Sequence, residues 1–328
     1  MSAHFWRVLI LLAPAASLLP GQQGRIAGPV SGYVFDAARG ALRPILGIPG
    51  ASLLGGPVEF GLAASSVWVA PRQDAALVAG ADGSLHIFRL AAGAATERAW
   101  AGRPGLPDRV AFSPSGSAAA LYYAGGAVQT ITGLPDAPVA AGGFSLGAAR
   151  GLATRRGRPP RTVRPALAIS DDGTLLVAIA AGEVRVLDAG GGNRALMEAG
   201  PHALAAFAPA GHDAAVVDAD AGVVLFRDVA GAAGRQAISA PDDAIAGAAG
   251  LAFSTDGRRL FVASAQARSV AAFDLATAAR GVIPCDCSPE ALVAMGGLFR
   301  LNELGPAPLW LLDAAAGPGT IVFVPVEQ

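Results

Sequence analysis

Cys285-Asp286-Cys287 holds the only two cysteines of the chain. In an oxidising compartment a C-x-C pair has three readings: a local disulfide, two free thiols, or a metal or intermolecular contact. Regular strand geometry sets residues i and i+2 about 6.5–7 Å apart, too far for an easy bridge. A turn would bring them together, and Pro284 and Pro289 flank the pair. The expectation is a local disulfide between Cys285 and Cys287. No His-rich segment accompanies them, which argues against zinc. A second candidate is basic. Arg150, Arg155, Arg156, Arg158, Arg161 and Arg164 follow one another with no acid between Asp136 and Asp171. Guanidinium forks hold phosphate or carboxylate through bidentate contacts. A Gly- and Pro-rich charge run also reads as a solvated loop. Arg155, Arg156, Arg158 and Arg161 are the expected ligand contacts.

Two further motifs carry less. Gly143-Phe144-Ser145-Leu146-Gly147 matches G-x-S-x-G, with His202 and His212 downstream. That nucleophile elbow needs a strand, a sharp turn and a helix to expose its serine. No segment here has a sustained helical period, so the match reads as a loop. Asp218-Ala219-Asp220-Ala221-Gly222 has two spaced acids but lacks the spacing and the closing Glu of a calcium loop. A hairpin turn explains it. Trp68 and Trp310 sit in strand-like segments and read as core anchors.

Composition removes whole classes of chemistry. The 328 residues contain 24 Lys plus Arg, and every one of them is Arg. Without lysine there is no P-loop, no Schiff-base or pyridoxal site and no kinase strand lysine. A net charge of −1 and a pI near 6.4 give no footprint for nucleic acid. At 53% hydrophobic residues the chain can bury a large core, and 15% charge is too much for a polytopic membrane protein.

The N-terminus has the plan of an export signal. Arg7 precedes an apolar run from Val8 to Leu19, and Pro20-Gly21 ends it. A run this short, broken by Pro14, cannot span a hydrocarbon core, which needs roughly 20 residues. The expected division is a signal peptide over 1–21 and one domain over 22–328. The mature domain is expected to be secreted or periplasmic. The uncharged stretch from Val110 to Pro135 is broken by turn residues and reads as strands, not as a membrane span.

The rest of the chain repeats. Leu251–Leu275 (LAFSTDGRRLFVASAQARSVAAFDL), Leu167–Ala189, Val110–Leu134, Leu204–Val229 and the more divergent Val67–Leu90 share one plan. An apolar strand enters a Ser/Pro/Asp/Gly turn, a second apolar strand follows, and a third ends near Asp or Arg. Ser170-Asp171-Asp172-Gly173 and Ser254-Thr255-Asp256-Gly257 place Asp before Gly, which suits a tight hairpin. Period-two alternation between turns argues for strands. Third-strand signatures occur at Gly32–Ala37, Ser84–Leu90, Ala127–Leu134, Glu183–Ala189, Val223–Val229, Ser269–Leu275 and Leu309–Ala314. Spread over the expected mature chain, that gives about 44 residues per unit, a propeller-blade length. Six units remain possible at about 51.

With these FSPSG, ISDDGT and FSTDGRRLFVA turns and VRVLDA-type strands, the chain resembles the YVTN/WD40-like β-propeller proteins, including lactonase-like seven-bladed propellers. The resemblance covers roughly residues 25 to 328 and lacks the repeated Trp-Asp of WD40 blades. It implies an all-β propeller of seven four-stranded blades. The ring is expected to close through N- and C-terminal strands, with Thr320–Val326 pairing beside the N-terminal ones. The expected role is an exported binding or scaffold module. Loops on one disc face would recognise a protein, a glycan or a small ligand. The competing reading is a lactonase-like or other hydrolase with a central-channel site, and no catalytic residue maps onto this sequence from the resemblance. Binding is preferred to catalysis. No cofactor, metal or nucleic acid is expected. A monomer is expected, with an extracytoplasmic protein or an anionic polymer as partner. Carboxylates or His clustered at the channel mouth would favour the enzyme, and an apolar or Arg-lined face would favour binding.

Overall fold

A computed structural model describes residues 28–147, 165–315, 317 and 319–326. Every regular element among them is a strand, grouped in seven antiparallel sheets. Blade 1 holds β1 (Val30–Asp36), β2 (Ala41–Ile48) and β3 (Ala51–Leu54). Blade 2 holds β4 (Ala64–Val69), β5 (Ala75–Gly80), β6 (Leu85–Ala91) and β7 (Ala94–Arg98). Blade 3 holds β8 (Arg109–Phe112), β9 (Ala119–Tyr122), β10 (Ala127–Thr132) and β11 (Val139–Ser145). Blade 4 holds β12 (Ala166–Ile169), β13 (Leu175–Ala180), β14 (Glu183–Asp188) and β15 (Asn193–Glu198). Blade 5 holds β16 (Leu204–Phe207), β17 (Ala214–Asp218), β18 (Gly222–Arg227) and β19 (Gly234–Ser239). Blade 6 holds β20 (Ala248–Phe253), β21 (Arg259–Ser264), β22 (Ser269–Asp274) and β23 (Arg280–Pro284). Blade 7 holds β24 (Val293–Met295), β25 (Leu298–Arg300), β26 (Leu309–Asp313) and β27 (Thr320–Val324).

The repeat explains the architecture. In each complete blade the second strand is almost wholly buried, as in β5, β9 and β17. Such a strand reads as a continuous apolar run because a blade packs on both of its faces. The core is accordingly divided into seven clusters, one at each junction between adjacent blades. Phe261 and Phe299, with ring centres 5.5 Å apart, join blades 6 and 7. The small residues are functional here: Ala75, Ala119 and Ala214 are fully buried and let neighbouring sheets approach closely.

Blade 1 departs from the plan. Gly32 lies near the start of β1, and a Cβ there would fall 2.2 Å from Met295 Cε at the end of β24 and 3.4 Å from Gln73 Oε1 in the β4–β5 turn. Gly40, past the end of β1, faces Ala64 at the start of β4. So β1 runs opposite to the innermost strands β4 and β24 on either side of it. It has the direction of a second strand, and no strand pairs with its inner edge among the described residues. Two devices seal that edge. Gly296 N–H donates to Pro71 O at 2.6 Å, tying the turns of blades 7 and 2 directly together. Gln73 Oε1 accepts the Tyr33 N–H at 2.7 Å, as a neighbouring strand's carbonyl would. Tyr33 and Val34 are buried as a result.

Two expectations are corrected here. Gly32–Ala37 is not a third strand; it forms β1, the innermost strand that blade 1 has. Thr320–Val326 does not pair beside N-terminal strands: β27 pairs with β26, from Leu309↔Val324 to Asp313↔Thr320. Closure comes from packing instead. Val34, Ile45 and Leu54 of blade 1 meet Leu298, Leu309 and Leu311 of blade 7 in one buried cluster.

Candidate functional site

The inner strands surround a central cavity of about 590 Å³. Its wall is mostly apolar, with Trp68, Phe112, Phe207, Phe253 and Phe299 contributing from five different blades. Phe112, Phe207 and Phe253 each end a first strand, Trp68 stands one residue before the end of β4, and Phe299 lies on the second strand β25. The charged residues in the wall are Arg72, Arg300 and Glu303. Arg72 Nε donates to Asp74 at 2.9 Å, and Arg300 pairs with Glu303. The Arg300 side chain is 13% exposed and the Glu303 side chain 67%, so the pair joins a nearly buried cation to an accessible carboxylate. No group of three His, Cys, Asp or Glu side chains suited to a metal occurs among the described residues.

One end of the channel is framed by the turns between first and second strands, and these turns are linked. Asp171 is the hub: Oδ1 accepts the Ser115 N–H at 2.7 Å and Oδ2 the Ala210 N–H at 3.1 Å, joining the turns of blades 3, 4 and 5. Burial alone would raise the Asp171 carboxyl, but hydrogen bonds from Ser115 and Ala210 outweigh it and hold it below the usual carboxylate range. Asp172 closes its own turn, accepting from Ser170 Oγ at 2.5 Å and from the Thr174 N–H at 3.0 Å. It also meets His212 Nε2 at 3.0 Å. Burial opposes these bonds, which still hold Asp172 far below its ordinary value. Asp256 repeats the arrangement in blade 6, kept low first by the Ser254 hydroxyl and then by the Arg258 N–H. Both Ser-x-Asp-Gly turns thus fix their own shape, and the blade 4 turn also clamps its neighbours through Asp171. No reacting group stands free among these acids.

Cys285 and Cys287 lie in the connector from β23 to β24, both buried. The structure joins their sulfurs, with Cα atoms 5.0 Å apart, closer than strand geometry gives because the connector bends. Cys285 N–H donates to Arg268 O at 2.8 Å, and Arg268 Nε to Cys287 O at 3.3 Å. The pair therefore pins the connector to the β21–β22 turn. Arg155, Arg156, Arg158 and Arg161 lie outside the described residues, as does the expected signal peptide.

Ser145 ends the outer strand β11, its hydroxyl 3.5 Å from the Gly147 N–H. The residues after Gly147, where the helix of an elbow would follow, lie outside the described residues. The Asp218 carboxylate accepts from the Asp220, Ala221 and Gly200 N–H groups and so closes a turn rather than facing an ion. Trp68 was expected in the core; it packs on the blade 2–3 cluster and also faces the channel. Sequence reasoning missed the bridging role of Asp171 and the contacts of His86 with Ser84 and Glu97. The Asp-Asp-Gly turn was visible, but the reach of its first carboxylate to two other turns depends on how blades sit together.

No family profile and no curated protein matches the chain. Solved structures share its fold. A candidate 6-phosphogluconolactonase from Bacteroides fragilis is 15% identical with a TM-score of 0.58, over 90% of this chain and 92% of that one. One from Bacteroides uniformis is 14% identical with a TM-score of 0.57, over 89% and 93%. Sqt1 from Chaetomium thermophilum, solved bound to the N-terminus of ribosomal protein L10, is 16% identical with a TM-score of 0.52, over 90% and 83%. At these identities the likeness shows the β-propeller fold alone.

Proposed function

We propose that this chain is an exported β-propeller binding module, whose channel and adjoining turn face hold a small ligand or an extracytoplasmic partner. The observation that carries the reading is the channel wall: aromatic side chains from five blades line about 590 Å³, with Arg72 and the Arg300–Glu303 ion pair as its charged groups. A mainly apolar concavity with few polar groups suits ligand binding. Export is supported by the apolar run from Val8 to Leu19, and an oxidised Cys285–Cys287 bridge fits that compartment. The basic run from Arg150 to Arg164 stays a proposed contact for an anionic polymer. Sqt1, which was solved with a protein N-terminus bound, is one propeller of this fold that holds a partner.

The second reading is a channel hydrolase, favoured by Glu303 as the one accessible carboxylate in the wall and by the lactonase-like neighbours. One experiment separates the two. Purified protein is titrated with anilinonaphthalene sulfonate, reading energy transfer from tryptophan, and is assayed on 6-phosphogluconolactone. Binding predicts a saturable signal that weakens in Trp68→Phe, with lactone loss at the uncatalysed rate. Lactone hydrolysis abolished by Glu303→Gln would overturn the binding reading.

A further inference from the structure

Ser84, His86 and Glu97 form a hydrogen-bonded relay on the outer half of blade 2, apart from the channel. Ser84 closes the β5–β6 turn, His86 stands on β6 and Glu97 on β7. Ser84 Oγ lies 2.6 Å from His86 Nε2, and His86 Nδ1 lies 2.7 Å from Glu97 Oε1. An ionised carboxylate only accepts, so Glu97 requires the proton on Nδ1. A neutral imidazole then presents a bare Nε2 to the serine hydroxyl, the tautomer in which histidine acts as a base. The Ser84 hydroxyl donates to Asp82 Oδ1 at 2.5 Å, and the same oxygen accepts the Ser84 N–H at 3.0 Å. Asp82 therefore fixes the turn and competes with Nε2 for one proton. The relay is open to a substrate, with the His86 side chain 26% exposed and that of Glu97 56%.

We propose that Ser84 and His86, with Glu97 as positioning residue, form an esterase site for small activated esters. Ser84 Oγ bonds to the ester carbonyl carbon while its proton passes to Nε2. The bond to the leaving oxygen breaks, and Nε2 returns the proton to that oxygen. Water then attacks the acyl-serine, gives a proton to Nε2, and Oγ recovers it as the acid leaves. The Ser84 N–H is committed to Asp82, so the tetrahedral oxyanion leans on solvent. An oxyanion donor is worth about 10²–10³ in rate, which confines the site to good leaving groups such as phenolates.

The test uses the purified full chain, a fluorophosphonate probe and p-nitrophenyl acetate. Labelling should map to Ser84 and vanish in Ser84→Ala. His86→Gln should slow labelling about 100-fold. Glu97→Gln should lower kcat about 10-fold or more with KM unchanged. Asp82→Asn should speed labelling severalfold, because Nε2 no longer competes with a charged acceptor, an effect that a purely structural turn would not produce. A folded wild type that resists the probe, a label on another serine such as Ser145, or an unchanged rate in His86→Gln would each overturn the proposal. Strand circular dichroism and an unchanged unfolding midpoint establish that a silent variant is still folded.

Discussion

Blade 6 and blade 1 solve the same packing problem with different parts. Blade 6 has four strands, a Ser-Thr-Asp-Gly turn that closes on its own carboxylate, and Phe261 fully buried against Phe299. Blade 1 has three strands among the described residues, and the innermost of these runs the opposite way to its neighbours in the inner ring. Yet the cluster between blades 7 and 1 is as dry as the others: Ile45, Leu309 and Leu311 are fully buried. The difference teaches that ring closure needs matched apolar faces and satisfied backbone edges, not a strand shared between the chain ends. At the β1 edge, where no strand pairs among the described residues, one glutamine and one turn-to-turn hydrogen bond stand.

The comparison breaks first at the core. Phe261→Ala should cost about 3–5 kcal/mol, the range for a buried aromatic truncation. Phe35→Ala, at the half-exposed channel side of β1, should cost much less by chemical denaturation. Equal losses would mean that blade 1 packs like a complete blade. Next comes Asp171→Ala, which strips the acceptor from two backbone N–H groups and should cost about 1–3 kcal/mol. The same variant tests pH dependence. Because the native Asp171 and Asp172 carboxyls are held below 3.8, their contribution is fully present above about pH 4 and is lost as pH falls through their native values. Wild type should therefore lose stability in acid more steeply than Asp171→Ala. Smaller still is the Cys285→Ala/Cys287→Ala pair. A bridge across one intervening residue restrains little of the unfolded chain, so its loss should cost about 1.5 kcal/mol. A much larger cost would show that the bridge organises the blade 6–7 connector beyond its own loop.

What the sequence revealed follows the same divide. Six of the seven third-strand signatures fall on third strands, because Ser/Asp-Gly turns and apolar runs are local and repeat. Blade 1 was misread because GYVFDA looks like VRVLDA: residue pattern reports an apolar strand bounded by a turn, not its place or direction in a sheet. Trp68 was legible as a buried anchor, but its second role at the channel depends on seven blades forming a circle. The contacts of His86 were hidden for a related reason. Ser84 and His86 are neighbours in sequence, whereas Glu97 reaches them only through the β6–β7 register, with Phe88 opposite Glu97.

Gln73, in the blade 2 turn beside the inner edge of β1, gives the smallest but most specific prediction. Its backbone has φ of 63°, a left-handed conformation that an uncharged β-turn would normally assign to glycine. The site nevertheless holds a glutamine, since only a side chain can reach the Tyr33 N–H; its Nε2 also donates to Ala70 O at 3.0 Å. Gln73→Ala keeps the unfavourable φ and loses both bonds, so it should destabilise by about 1 kcal/mol or slightly more. Gln73→Gly loses the same bonds but relieves the backbone, and should recover a large part of that loss. Both variants should speed hydrogen exchange at the Tyr33 amide while leaving the amides of β21 protected. If Tyr33 stays protected in both, the β1 edge is satisfied by something other than Gln73.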